Sequence, residues 1–334
     1  MTYASRMTPY EKPYIQKYLC GKRALDYWKV PHVRGNLELK ETIFPQEYVI
    51  FTSKPLYRPQ RALLRTCRIP GAEKYTQQGV CTLPLVFLQV ANDYSIHELI
   101  YLGLQICSYR ENQPPLCTVK ELRQCAEKLH GHRGRRKALR AIRYLDEGSR
   151  SPMESILYMM LRLPNALGGC GFTEIKLNHK IQLKKSCHIY YADLYVPSCK
   201  LDIEYDSQTY HNKPEAFSKD AIRSAHLEAE GYQVISVRPE QLVDLKHFET
   251  LARNLSRRIG KQIRIRARKF IESFTALRDL LLNKACAIRS RFKRTRYLEI
   301  PRFPGISAIY ELYSAAWTRL TRYPNRSLVL TRAP

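Results

Sequence analysis

The run Tyr191-Ala-Asp-Leu-Tyr-Val-Pro-Ser-Cys-Lys-Leu-Asp-Ile-Glu-Tyr-Asp206 constrains the fold more than any other stretch of the chain. Apolar and polar residues alternate on both sides of Pro-Ser-Cys-Lys, the pattern of a β-hairpin. A turn centred on Ser198-Cys199 sets Asp193 directly opposite Glu204. Asp202 and Asp206 share the parity of Glu204 and join its face, while Leu201, Ile203 and Tyr205 form a core stripe on the other. Like charges facing each other across a ladder destabilise it or raise their own pKa values. A divalent cation is the usual remedy.

Net charge narrows the partners. The chain carries 56 Lys and Arg against 30 Asp and Glu, for +26, a field that favours a polyanion through counterion release. The excess avoids the hairpin: residues 1–150 carry +12, residues 151–245 carry −2 and residues 246–334 carry +16. A slightly acidic centre between basic flanks suits cation binding in the middle and phosphate binding around it. At 334 residues the chain exceeds the size at which one core stops growing, about 250 to 300 residues. Three regions are therefore drawn: a basic α+β region over 1–148, DNA-binding or regulatory; a central domain over 149–245; and a basic helical extension over 246–334.

No stretch reaches the roughly 18 to 20 apolar residues that span a bilayer, and the first residues lack the apolar core of a signal peptide. A cytoplasmic location, with no membrane partner, is the expectation. None of the ten cysteines stands in CxxC spacing, so structural zinc and redox motifs are unsupported. No phosphate-binding loop or other motif for a small-molecule cofactor is present.

Several helices announce themselves by their starts. Thr118 with Glu121 makes a capping box ahead of Leu122, Ala126 and Leu129. Ser151-Pro-Met-Glu154 opens another helix, with proline at its first position. The ordinary role of Glu154 there is that of a capping carboxylate. Between the two helices lies a cationic run in which Arg133, Arg135, Arg136, Lys137, Arg140 and Arg143 are candidate phosphate contacts. A solvated helix face is the alternative for that run. Arg264 and Arg266 belong to a second basic run, 260–269. A strand near Phe172–Leu177, the hairpin, a helix over Asp220–Glu230 and a strand over Gln233–Val237 complete the order αβββαβ. Ala221, Ile222, Ala225 and Ala229 form a small-residue face suited to packing on a sheet. Asp220 and Arg223, at i and i+3, read as an ion pair.

The run Ser151-Pro-Met-Glu-Ser-Ile-Leu, then Ala192-Asp-Leu, Leu201-Asp-Ile-Glu-Tyr-Asp-Ser-Gln-Thr-Tyr-His211, Asp220-Ala-Ile-Arg223 and Gly231-Tyr-Gln-Val-Ile resembles one family. It is similar to the very-short-patch-repair-like endonuclease domains of the PD-(D/E)XK nuclease superfamily, over about residues 149–245. Residues 1–145 faintly resemble the arrangement of AbiEi-type antitoxins and transcriptional regulators. The resemblance implies a restriction-endonuclease-like αβββαβ core with a mixed sheet, of α/β (α+β) class. It makes Glu154, Asp193 and Glu204 candidate ligands for Mg²⁺ or Mn²⁺, with DNA as substrate. The superfamily's usual lysine is replaced by Asp206, which brings no positive charge. Asp206 and His211 complete the candidate catalytic set, with His211, Lys213 or Lys219 as possible replacements for the missing cation. A DNA-binding regulator that keeps the fold without turnover is the rival reading.

Overall fold

Polar caps start the helices where the sequence sets them. The computed structural model describes residues 16–31, 48–53, 64–109, 113–184, 188–206, 214–263 and 268–293, with Leu64, 214–220 and 283–293 as backbone only. The chain begins with β1 (Tyr18–Leu19), α1 (Gly21–Tyr27), β2 (Tyr48–Phe51), β3 (Leu64–Cys67), β4 (Thr76–Gln77) and β5 (Val80–Cys81). Five helices follow: α2 (Leu83–Val90), α3 (Ile96–Ile106), α4 (Val119–Lys128), α5 (Arg135–Ile142) and α6 (Pro152–Arg162). Next come β6 (Lys176–Gln182), β7 (Ile189–Val196), β8 (Leu201–Tyr205), α7 (Pro214–Ala229) and β9 (Gln233–Val237). The last helices are α8 (Glu240–Val243), α9 (Leu245–Ile259) and α10 (Arg268–Lys293).

Full capping boxes open α3, through Ser95 and Glu98, and α4, through Thr118 and Glu121. Each cap contributes about 1 kcal/mol. At α6 the box is only half made. Ser151 Oγ accepts from the Glu154 amide at 3.1 Å, but the Glu154 carboxylate accepts from the amide of Arg150, at 2.7 Å, one residue before the cap.

The fold is mixed α+β, with two mixed sheets and, among the described residues, ten α-helices. This agrees with the expected class. The first sheet has the order β3-β2-β1-β5-β4, and the second β6-β7-β8-β9. In the second, β6, β7 and β8 run antiparallel while β8 and β9 are parallel, joined through α7. From α6 to β9 the element order is αβββαβ.

The hairpin register is the one the sequence demands: Leu194 faces Ile203, Tyr195 faces Asp202 and Val196 faces Leu201. Its turn is a short 3₁₀ segment, Pro197–Cys199, closed by Lys200 in the left-handed region at φ 47°. Leu201 and Ile203 are buried in the main core together with Leu194 and Val196.

Two expectations are corrected. The strand expected at Phe172–Leu177 lies later, at Lys176–Gln182. The amides of Cys170 and Phe172 instead donate to Met160 O and Leu161 O at the end of α6, so this backbone is already satisfied and forms no ladder. The small-residue face of α7 does not pack on the sheet. Ala221, Ala225 and Ala229 are exposed and Ile222 is 55% exposed. Among the described side chains of α7, Leu227 is the one buried against the sheet, beside Ile181, Leu183, Ala192 and Tyr195. Methyl groups bury less apolar area than Leu227 does, and on the same helix side Arg223 and His226 find polar partners.

One hydrophobic cluster runs from Cys20 to Leu281 and crosses the boundaries drawn at residues 148 and 245. Phe248, Phe270 and Phe274, from α9 and α10, join it, with Phe248 and Phe274 stacked at 4.5 Å between centroids. Six of the eight described cysteines are buried. No helix among the described residues is long and apolar enough to cross a membrane.

Candidate active site

A break in the β6–β7 ladder sets up the site. Leu177 pairs with Leu194 and His179 with Ala192, while Asn178, opposite Asp193, adopts φ 43°. Asparagine tolerates this left-handed conformation better than most residues. On one side of the break Leu177 and Leu194 face the main core; on the other, Ile181 and Ala192 face α7. Asp193 sits at this crossover, where its Oδ2 accepts the Tyr205 amide of β8 at 2.9 Å. The β7–β8 ladder pairs Leu194 with Ile203, and beyond that pair the Asp193 side chain holds the backbone amide of Tyr205.

Glu204 and Asp202 lie on the side of β8 that α7 covers. Arg223 of α7 reaches both: its Nη2 donates to Asp202 Oδ2 at 3.3 Å, to Glu204 Oε1, and to the Tyr191 carbonyl at 3.0 Å. Its guanidinium lies 5.7 Å from the Tyr190 ring centroid, and Tyr190 Oη is 2.9 Å from His226 Nδ1, which fastens α7 to β7. Asp202 is fully buried, and its second oxygen, Oδ1, has no hydrogen-bond partner among the described residues. Glu154, 7% exposed, enters from the first turn of α6.

Burial and mutual repulsion raise the pKa values of all four acids. Glu154 is pushed up to about 8, chiefly by desolvation and then by the charge of Asp193. Asp193 rises to about 7 through desolvation and the charge of Glu204, opposed by the Tyr205 amide and Arg223. Desolvation lifts Asp202 to about 6 and Glu204 to about 8, and the charge of Asp202 adds to the rise at Glu204. One guanidinium does not neutralise four carboxyls.

Hard oxygen donors in this number suit Mg²⁺ or Mn²⁺, and the orphaned Asp202 oxygen is a further acceptor without a donor. The donor types are those a divalent cation takes, but their arrangement among the described residues is not that of a metal site. The side chains are not gathered around one point: among the described residues no three His, Cys, Asp or Glu side chains form a group ready to hold a metal. The Glu154 carboxylate is tied to Arg150 N, and Arg223 lies against Glu204 and Asp202.

The remaining candidates divide. Asp206 follows the end of β8, with its amide donating to Val237 O at 3.0 Å. His211, Lys213, Arg264 and Arg266 lie outside the described residues, as does the side chain of Asp220, so the proposed Asp220–Arg223 pair is not described. In the cationic run, Arg133, Arg136, Arg140 and Arg143 are exposed. Arg135 and Lys137 serve the fold instead. Arg135 Nε donates to Ala126 O at 2.9 Å, and Lys137 Nζ donates to Tyr94 O at 2.7 Å and Asn92 O at 3.2 Å.

Two residues of the site escape a reading for metal ligands. The strand parity of Asp202 already sets it beside Glu204, and its burial under α7 is what makes it consequential. Arg223 carries a signal only in hindsight: it stands one helical turn before Leu227, on the face that packs. Comparison with protein-family models, curated proteins and solved structures finds no match.

Proposed function

We propose that this protein is a divalent-metal-dependent DNA endonuclease of the PD-(D/E)XK, very-short-patch-repair-like type, acting in the cytoplasm, with a restriction-endonuclease-like core over residues 149–245. The observation that carries the reading is the electrostatic union of Glu154, Asp193 and Glu204. They come from a helix start and two strands, yet burial and mutual repulsion raise the pKa values of all three, and Arg223 offsets that charge only in part. The αβββαβ order supports it.

Glu154, Asp193 and Glu204 would hold Mg²⁺ or Mn²⁺, with Asp202 backing Glu204. The bound ion supplies Lewis-acid polarisation of a phosphate oxygen and a water of lowered pKa. In the hydrolysis, water oxygen bonds to phosphorus, one ester P–O bond breaks and a proton ends on the leaving oxygen. The Tyr205 amide fixes Asp193 against rotation. Arg133, in the turn before α5, and Arg136 and Arg140, exposed along it, bind the phosphate backbone without reading sequence. Nicking of supercoiled plasmid in Mg²⁺ or Mn²⁺ tests the proposal. Glu204→Ala loses it; equal nicking by that variant contradicts the assignment.

A second reading, an antitoxin-like or transcriptional-regulator DNA-binding protein without turnover, is favoured by two features. Arg223 already lies on Glu204 and Asp202, and Asp206 stands where a catalytic lysine is expected. DNA binding that ignores metals, with no cleavage in any of them, supports this second reading.

A further inference from the structure

We propose that the cavity between the end of α1, β4 and the start of α4 is a binding site for an adenine base, carried by a free nucleoside or nucleotide or by an unpaired nucleotide of a DNA strand. The inference is independent of the acid cluster.

The cavity measures about 360 Å³, within the range of small-molecule sites, about 300 to 1,000 Å³. Its walls are rings and aliphatic groups: Trp28, Tyr75, Leu83, Pro84 and Leu116. Trp28 is held in place, because its Nε1 donates to Cys81 O at 2.9 Å and its ring meets that of Tyr27 edge-on, 5.2 Å between centroids. The indole thus spends its one polar atom on the fold and leaves carbon to the cavity. Every nucleobase has a face that stacks on such a wall.

The polar groups stand at the edge. Gln77 ends β4, while Glu121 and Gln124, three residues apart, share one face of α4. The Glu121 carboxylate is already engaged, accepting the Thr118 amide and hydroxyl, both at 2.8 Å. The side chains of Lys74, Gln77 and Gln124, which also line the cavity, make no hydrogen bond or ion pair among the described residues. Pinned rings with unengaged polar groups at their edge call for a flat ligand with a polar rim. A glutamine amide, one donor beside one acceptor, matches N6 and N7 of adenine in a bidentate pair. The opposite charges of Lys74 and Glu121 offset each other, which suits an uncharged ring better than a charged one. The net charge of +26 draws nucleotides and nucleic acids toward the chain.

Trp28 can report on its own site. The chain has one other tryptophan, Trp317, so a Trp317→Phe protein fluoresces from Trp28 alone, and a base stacked there quenches it. The titrants are adenosine, AMP and two DNA duplexes, one fully paired and one with a single unpaired adenine. Saturable quenching is expected from adenosine and AMP if the site takes free ligands, and from the unpaired-adenine duplex alone if it takes its base from a strand. In either setting hypoxanthine, which lacks the N6 amino group, should bind about tenfold more weakly than adenine, and Gln77→Leu or Gln124→Leu should weaken adenine by about the same factor, the scale of a lost bidentate pair. Both glutamines are exposed, so the fold tolerates these changes. If Trp317→Phe fails to fold by circular dichroism, equilibrium dialysis of labelled adenosine and labelled duplexes against the native chain makes the same comparisons. Binding of none of the titrants overturns the proposal. So does affinity that is equal for adenine and hypoxanthine, or that neither glutamine variant alters, or a response to DNA alone that is the same for both duplexes. Plasmid nicking plays no part in these titrations, so their failure leaves the proposed function standing.

Discussion

The cationic helix α5 and the acidic hairpin β7–β8 look like mirror images in sequence, one dense in positive charge and the other in negative. The structure treats them differently. On α5 and at its two ends the cations separate by role: Arg135 and Lys137 bind carbonyls of the neighbouring backbone, while Arg133, Arg136, Arg140 and Arg143 reach solvent. On the hairpin the acids are drawn together and covered, and their pKa values climb. Charge density alone does not assign a role; what covers the charge does. Exposed cations act additively and through salt-screened attraction, whereas buried acids are coupled and respond to a single added cation.

The largest expected effect breaks the hairpin side of this comparison. Glu204→Ala should reduce plasmid nicking in Mg²⁺ by at least about 100-fold, on the scale of losing one electrostatic element of a catalytic site. Glu154→Gln and Asp193→Asn should each do likewise, because the three act as a unit.

A second prediction concerns pH. Carboxyls with raised native pKa values hold protons that the unfolded chain has released, so the native state binds more protons and stability falls as pH rises. For Glu154 and Asp193 the window runs from about 4, the unfolded value, to about 7 for Asp193 and about 8 for Glu154. Thermal melts without metal should therefore drop across this range, and added Mn²⁺ should flatten the decline. A melting temperature that rises from pH 5 to 8 without metal runs against the account.

On the α5 side, Lys137→Met should destabilise the fold by about 1 to 3 kcal/mol in urea melts, through two lost hydrogen bonds from a charged donor, and leave DNA affinity nearly unchanged. Arg136→Ala and Arg140→Ala should do the reverse. Each should preserve stability and lower the salt dependence of DNA binding, log Kd against log salt, by about one unit of slope. Equal effects of Lys137 and Arg136 on DNA binding would erase the distinction between the two kinds of cation. The smallest change is Thr118→Ala, which should cost about 1 kcal/mol in the same melts, from the lost cap of α4, and leave DNA binding as it was.

What the sequence made legible was local. Caps at Thr118 and Ser151, the hairpin register that pairs Leu194 with Ile203 and Val196 with Leu201, and the bounds of β9 all follow from spacing a few residues long. What it concealed was decided by partners far along the chain. Nothing near Arg223 announces that its partners are Asp202 and Glu204, some twenty residues earlier. The alanines of α7 suggest a packing face by composition, yet Leu227 wins because one large side chain fills the space under the sheet. Lys137 reads as a phosphate ligand until the carbonyls of Asn92 and Tyr94 come within its reach. The left-handed Asn178, which turns the ladder at Asp193, stands in a polar run that reads as ordinary strand.

The most direct measurement is calorimetric titration of Mn²⁺ into the protein at pH 7 in two buffers of different ionisation enthalpy. The account predicts binding accompanied by release of at least about one proton, because metal ligands must deprotonate and the pKa values of Glu154 and Glu204 stand at about 8. It also predicts loss of that binding in Glu204→Gln. Absence of binding, or binding without proton release that survives Glu204→Gln, would contradict a carboxylate cluster made to hold a cation.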